Sequence, residues 1–215
     1  MLKIREFIGM LISGADEVIG AKDELTEIDS RFGDADHGIT MEKIMNSVKQ
    51  EIGEPRDNAD FRQILDDAST GVMRINGGSS VPLWSTLFEG MSEGAPTSPE
   101  IDEAELKQIF RQGYEALFAL SKAKPGDKTM MDSLTPAVEA ICSTEGDFNK
   151  IMAAGAKAAI EGAEASKNFV SKFGRAKSYR EQTIGTPDAG ATSMKYFFVG
   201  MDEAISRSVD KETIN

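Results

Sequence analysis

A chain of 215 residues, 40% hydrophobic and 28% charged, has the composition of one globular domain with a sizeable core, not of a disordered or fibrous protein. Its net charge is −12 and its sequence pI near 4.6, a balance that repels nucleic-acid phosphates, and no basic stripe offsets it. The longest apolar runs, such as Tyr196-Phe197-Phe198-Val199, fall far short of the roughly 20 residues that cross a bilayer.

The first element, residues 2–21, sets Ile4, Phe7, Ile8, Leu11 and Ile12 at the three- and four-residue spacing of an amphipathic helix. It reaches an acid at Glu6 and has no small-residue cleavage site, so it reads as part of the fold and not as a secretory leader. Residues 22–32, with Leu25 and Ile28, form a second helical segment that breaks at Gly33-Asp34-Ala35-Asp36-His37-Gly38. Met41, Ile44, Met45 and Val48 restore the helical period up to Gly53-Glu54-Pro55, and Phe61, Ile64, Leu65 and Ala68 begin the next helix. Asn76-Gly77-Gly78-Ser79-Ser80 interrupts again before a helix over residues 83–91. Ser98 and Pro99 are expected to cap and open a helix whose stripe, Leu106 to Phe118, runs on to Ser121. After Lys124-Pro125-Gly126-Asp127 come a helix over residues 131–142, kinked or restarted at Pro136, and a long alanine-rich helix over 148–173. Residues 174–190 are polar and irregular, and 191–209 close the chain as a helix. No segment alternates convincingly as a strand. The pattern predicts an all-α single domain over residues 1–215, with about eight helices and antiparallel neighbours across short connections.

The breaks hold more chemistry than the helices. Asp29, Asp34 and Asp36 place three carboxylates in one short stretch, where they repel one another unless a cation neutralises them. Hard oxygen ligands suit Mg2+ or Ca2+. An EF-hand starting at Asp34 fails, because its sixth position is Ile39 instead of glycine and its twelfth is Met45 instead of glutamate. Mg2+ completed by water and phosphate oxygens is the better fit. Against this stands the plainer reading that each aspartate ends or caps a helix. Gly77-Gly78-Ser79-Ser80 lets backbone amides approach a phosphate, although alone it reads more readily as a tight turn with a serine N-cap. Pro125 to Asp132 and Gly174 to Arg180 are polar turns; Arg175 offers a phosphate partner and Met130 a cover for an aromatic ring. His37 is the chain's single histidine, which excludes a mechanism needing two imidazoles; a phosphate contact suits it better than acid–base work. Cys142, the single cysteine, excludes an internal disulfide, fits a reducing cytoplasm, and sits in the apolar helical context of an inert core thiol.

Taken together, Gly33 to Gly38, Gly77-Gly78-Ser79-Ser80, Gly126-Asp127-Lys128-Thr129-Met130, Gly174-Arg175-Ala176 and Asp188-Ala189-Gly190-Ala191-Thr192-Ser193 resemble, in order and separation, the L subunit, or ADP-binding domain, of dihydroxyacetone kinases. The resemblance covers residues 29–193. It implies a barrel of eight amphipathic antiparallel helices with a nucleotide at one end. It implies that Asp29, Asp34 and Asp36 hold two Mg2+ ions against the phosphates of ADP or ATP. His37, Gly38, Ile39, Thr40, Ser79 and Ser80 would form the phosphate-contacting turns, with Ser121, Met130, Arg175, Asp188, Ala189 and Gly190 around the rest of the nucleotide. The activity implied is that of a cytoplasmic phosphotransferase, a kinase whose short ketose is held on a separate K subunit. Bound ADP would be rephosphorylated by a phosphotransferase-system partner or exchanged for ATP. A homodimer or hetero-oligomer is implied, with no nucleic-acid or membrane partner. A regulatory, nucleotide-loaded module is the alternative. Val81 stands where the family commonly has glycine, Ala189 where it has proline and Thr40 where it has asparagine; none is an expected metal ligand, and they leave the acceptor open to erythrulose or a similar ketose.

Overall fold

Helices with one apolar stripe must bury it against others of their kind, and in this chain they do so by closing a ring. The computed structural model describes residues 1–54 and 59–213, with side chains described as far as Arg207. Among the described residues there are nine α-helices: α1 Ile4–Gly20, α2 Lys22–Ser30, α3 His37–Ile52, α4 Phe61–Met73, α5 Ser80–Gly94, α6 Glu103–Ser121, α7 Met131–Ser143, α8 Phe148–Ala165 and α9 Ala189–Thr213. Packed pairs run from α1 to α3 and on through α9, which returns to α1, so eight helices close on themselves; α2 lies against α3 and α9. Neighbours are antiparallel where their crossings can be followed. Gly90 of α5 faces Gly113 and Ala116 of α6, while Gly94 faces Gln108 and Gln112. Ser69 meets Ser85 while Arg62 meets Ser92 between α4 and α5.

The ring's interior is filled by large side chains. Trp84 of α5 meets Phe197 of α9 edge-on with centroids 5.2 Å apart, Phe88 meets the same ring at 6.0 Å, and Phe7 packs on Phe61 at 4.9 Å. Each such pair adds about 1 kcal/mol beyond the burial of its area. The closing seam depends on small residues: a Cβ on Gly14 would lie 2.7 Å from the Phe197 carbonyl oxygen, and one on Gly200 would meet the Ser13 carbonyl. Helix starts carry their own signals. Asp60 and Asp147 accept from the backbone N–H groups of Gln63 (2.8 Å) and Lys150 (2.9 Å), and Asp102 forms a reciprocal capping box with Glu105.

Several sequence expectations are corrected. The first helix starts at Ile4, not residue 2, because Leu2–Lys3 pairs as a short antiparallel strand with Glu100–Ile101. That ladder also displaces the expected start at Pro99: the Pro99 carbonyl accepts from the Ile4 N–H (2.9 Å), and α6 opens at Glu103 behind Asp102. Pro136 does not restart α7, which runs unbroken from Met131 to Ser143. Proline leaves the Asp132 carbonyl without its usual helical donor, and Gly162 of α8 sits against that carbonyl, where a Cβ could not fit. The alanine-rich helix ends at Ala165 rather than 173, continuing as a 3₁₀ turn over Ser166–Asn168. Within 174–190, Arg175–Thr183 winds as 3₁₀ turns broken at Arg180 (φ 51°), and α9 begins at Ala189. Ser79 precedes α5 but makes no side-chain cap. Cys142 is only half-buried, its thiol 3.8 Å from the Lys107 carbonyl, so it is not a core thiol. Pro55, part of an expected break, lies outside the described residues.

Candidate functional site

The up-and-down ring brings the N-terminal ends of α3, α5, α7 and α9 to one end, where they line a cleft of about 550 Å³. Each end directs the positive pole of its helix dipole at the cleft, so this corner of a strongly acidic protein favours an anion.

The acidic turn forms one wall. Asp29 lies near the end of α2, and the chain then reverses through Ala35, which takes the left-handed conformation (φ 59°). One oxygen from each of Asp29, Asp34 and Asp36 lies within 4.8 Å of the others. Asp29 Oδ2 accepts from the Asp36 N–H (3.1 Å) and the His37 N–H (3.4 Å), which folds the turn around that carboxylate. Burial raises the Asp36 pKa above the ordinary carboxylate range, and the charges of Asp34 and Asp29 raise it further. Arg175 pairs with Asp34 at 2.6 Å, but its side chain is 71% exposed, so water screens the pair. Three convergent carboxylates with one solvent-screened cation fit a small hard divalent ion that takes oxygen ligands.

His37 is a brace. Its Nε2 lies 2.7 Å from Ser193 Oγ on α9, and its Nδ1 3.4 Å from Ser80 Oγ on α5. Ser193 Oγ also donates to the Ala189 carbonyl (2.7 Å). Its single proton is then committed, so Nε2–H donates to Ser193 and Nδ1 accepts from Ser80. Burial pushes the imidazole pKa down, which keeps it neutral. One ring thus ties the first turns of α3, α5 and α9 together.

The opposite wall comes from the 125–130 turn and the segment before α9. Asp188 caps α9 by accepting from the Ala191 N–H (2.8 Å), and burial pushes its carboxyl up to about 7. A Cβ on Gly190 would lie 3.2 Å from the Met130 backbone nitrogen, so this wall is tightly closed. Lys128 is buried, with desolvation lowering its pKa; its Nζ donates to the carbonyls of Ser166 (2.7 Å) and Thr186. Asp132, at the start of α7, accepts from the N–H groups of Gly126 (2.5 Å) and Thr129 (2.7 Å) and shapes the same turn.

Of the residues expected from sequence, Asp29, Asp34, Asp36, His37, Thr40, Ser79, Ser80, Ser121, Met130, Arg175, Asp188, Ala189 and Gly190 line this one cleft. Gly38 and Ile39 do not. Gly38 packs on α2, where a Cβ would strike the Lys22 carbonyl, and Ile39 points to solvent, 42% exposed. Trp84 and Phe173 also line it and were not singled out; Lys128 and Ser193, the partner of His37, were quoted only within motifs. A lysine inside a polar turn carries no local sign that it will be buried.

The comparisons with known proteins agree with this geometry. Residues 31–203 match the DAK2 domain family. The chain is 33% identical over 175 residues to the ADP-binding subunit DhaL of the PEP-dependent dihydroxyacetone kinase of Escherichia coli, covering 80% of this chain and 83% of that subunit. It is 32% identical over 184 residues to the D-erythrulose kinase of Mycolicibacterium smegmatis, covering 84% of this chain but 32% of that enzyme, about a third of its length. The crystal structure of the dihydroxyacetone kinase from C. freundii in complex with AMP-PNP and Mg2+ shares the fold, with a TM-score of 0.67 at 21% identity, covering 92% of this chain and 33% of that one.

Proposed function

Because the chain belongs to the DAK2 domain family, we propose that it is the nucleotide-binding, phosphoryl-donating subunit of a kinase for dihydroxyacetone or a related short ketose. The observation that carries this reading is the meeting of the Asp29–Asp34–Asp36 trio with four helix N-termini in one cleft. Such a corner binds a diphosphate through backbone N–H groups and a cation through carboxylates. Asp29, Asp34 and Asp36 would hold two Mg2+ ions, which would offset the negative charge that builds up during transfer. The chain's own part is positioning. Ser79 presents its hydroxyl and α5 its N-terminus to the phosphates, and His37, through Ser80, keeps that turn in register with α3 and α9. Arg175 pairs with phosphate once Asp34 turns to a cation. Met130 and the Asp188-Ala189-Gly190 turn close on the base and sugar of ADP or ATP.

The acceptor is held elsewhere, on a separate K subunit. Coverage of relatives supports this division: the chain matches 83% of the E. coli subunit and only 32% of the M. smegmatis enzyme. The phosphoryl source is a phosphotransferase-system protein that reloads bound ADP, or free ATP; the E. coli relative is named as PEP-dependent and ADP-binding, which favours reloading. The likeness to a D-erythrulose kinase keeps erythrulose as the second acceptor. The working assembly is a homodimer or a hetero-oligomer with the K subunit.

The test is direct. Mass spectrometry of whatever small molecule the denatured chain releases should find ADP, and mixing the chain with a matching K subunit, Mg2+, a phosphoryl source and each ketose should yield the sugar phosphate. A purified chain that neither carries nor binds adenine nucleotide in Mg2+ would sink the reading.

A further inference from the structure

Residues 169–188 form a strap beside the cleft, lining it through Ser171, Phe173 to Ala176 and Thr186 to Asp188, and its two ends are held by adjacent residues of a single turn. At the first end, the Asp127 carbonyl accepts from the Lys172 N–H (3.1 Å) and the Asp127 carboxylate pairs with Lys172 Nζ at 2.6 Å. At the second end, Lys128 Nζ donates to the Thr186 carbonyl and, at 2.7 Å, to the Ser166 carbonyl at the end of α8. The Asp188 N–H donates to Ser166 Oγ (2.9 Å) and the Gly185 N–H to the Lys167 carbonyl (2.7 Å), which fasten the same end.

The two ends differ in strength from the middle. Lys128 is 4% exposed and sits in the left-handed region (φ 61°), a conformation that few lysines adopt unless their surroundings hold it. A buried ammonium shared between two carbonyls is a strong anchor, because removing it leaves both acceptors dry and unpaired. The buried Thr183 ties the strap to itself, its Oγ1 accepting from the Ser171 N–H at 3.0 Å, and the middle otherwise meets the rest of the protein through solvent-facing contacts: Arg175 on Asp34, and Tyr179 against Phe32 with ring centroids 5.2 Å apart. Those contacts are too solvent-exposed to fix the strap alone.

We propose that Asp127 and Lys128 form a clasp that holds this strap beside the cleft. Lys128 is a positioning residue: it acts through Arg175 and the Asp188 turn and does not itself contact the phosphates. What the strap borders rests on the nucleotide-binding reading; the clasp itself does not.

Trypsin reads the clasp, since the strap carries Lys172, Arg175, Lys177 and Arg180. In nucleotide-free protein, Lys128→Met should speed cleavage within the strap about tenfold, with helix content by circular dichroism unchanged. Asp127→Asn, at the more exposed end, should speed it about threefold. In calorimetry with Mg2+ and ADP, Lys128→Met should weaken binding about tenfold, and adding Arg175→Gln to it should cost no more than about a further twofold, because both changes act on one unit. Unchanged strap cleavage in Lys128→Met overturns the clasp, and independent, additive losses of ADP affinity make Lys128 a direct nucleotide contact instead. Should Lys128→Met fail to fold, Asp127→Asn decides alone, and unchanged cleavage there also overturns the proposal. A wild-type chain that binds no ADP defeats the nucleotide reading, while the protease result still judges the clasp.

Discussion

Asp34 and Asp188 are both acidic and both line the cleft, yet they should respond to substitution in opposite ways. Asp34 is exposed and paired with a solvent-screened arginine. Asp34→Asn should therefore leave helix content unchanged and shift stability by no more than about 0.5 kcal/mol. If the trio holds metal as proposed, the same change should cut phosphoryl transfer with a K subunit by more than about a hundredfold. Normal turnover of that variant would dismiss the metal assignment. Asp188 is half-buried, with desolvation pushing its carboxyl from 3.8 up to about 7. Between those values the folded chain keeps a proton that the unfolded chain has lost, so native stability from this group is present at low pH and is lost as pH rises through 7. Asp188→Asn keeps the N-cap but does not titrate. Its stability relative to the parent should rise by roughly 2 kcal/mol between pH 4 and pH 8, read by urea unfolding of nucleotide-free protein. A flat difference across that range would show that Asp188 ionises normally.

Among the elements, the α1–α9 seam is the most exacting, because the ring closes there across Gly14 and Gly200. A branched side chain at Gly14 has backbone carbonyl on one side and the Phe197 ring on the other, neither of which can yield. Gly14→Val should cost about 3 kcal/mol in thermal or denaturant unfolding, whereas the same change at Gly9, which faces open space, should cost under about 1 kcal/mol. Equal effects at the two sites would mean that the seam relaxes. The helix stripes were legible from periodicity alone, since spacing is a property of near neighbours. The boundaries that went astray did so where a distant partner intervened. Pro99 looked like a helix opener until its carbonyl met Ile4 from the other end of the first strand pair. Pro136 looked like a break until Gly162 of another helix made room for the carbonyl it leaves free.

For the whole molecule, ligand binding and folding are linked. Mg2+ with ADP at about a hundredfold over its Kd should raise the melting temperature of stripped protein by roughly 5–10 °C, because a ligand confined to the native state adds its binding free energy to stability. No shift at saturating ligand would argue that the cleft is not a nucleotide site. The amino-acid order by itself determined the all-α class, the amphipathic stripes, the acidic trio and the chemistry of each polar break; these depend on side-chain type and on spacing along a few turns. Its likeness to dihydroxyacetone kinase subunits supplied the expectation that the breaks meet. Only the tertiary structure decided which helices are neighbours, that four helix N-termini share one corner, that His37 is a brace between Ser80 and Ser193, and that Lys128 is buried while Ile39 is not. Those facts join residues far apart in the chain, and burial is set by what packs on a residue from elsewhere, which no local pattern records.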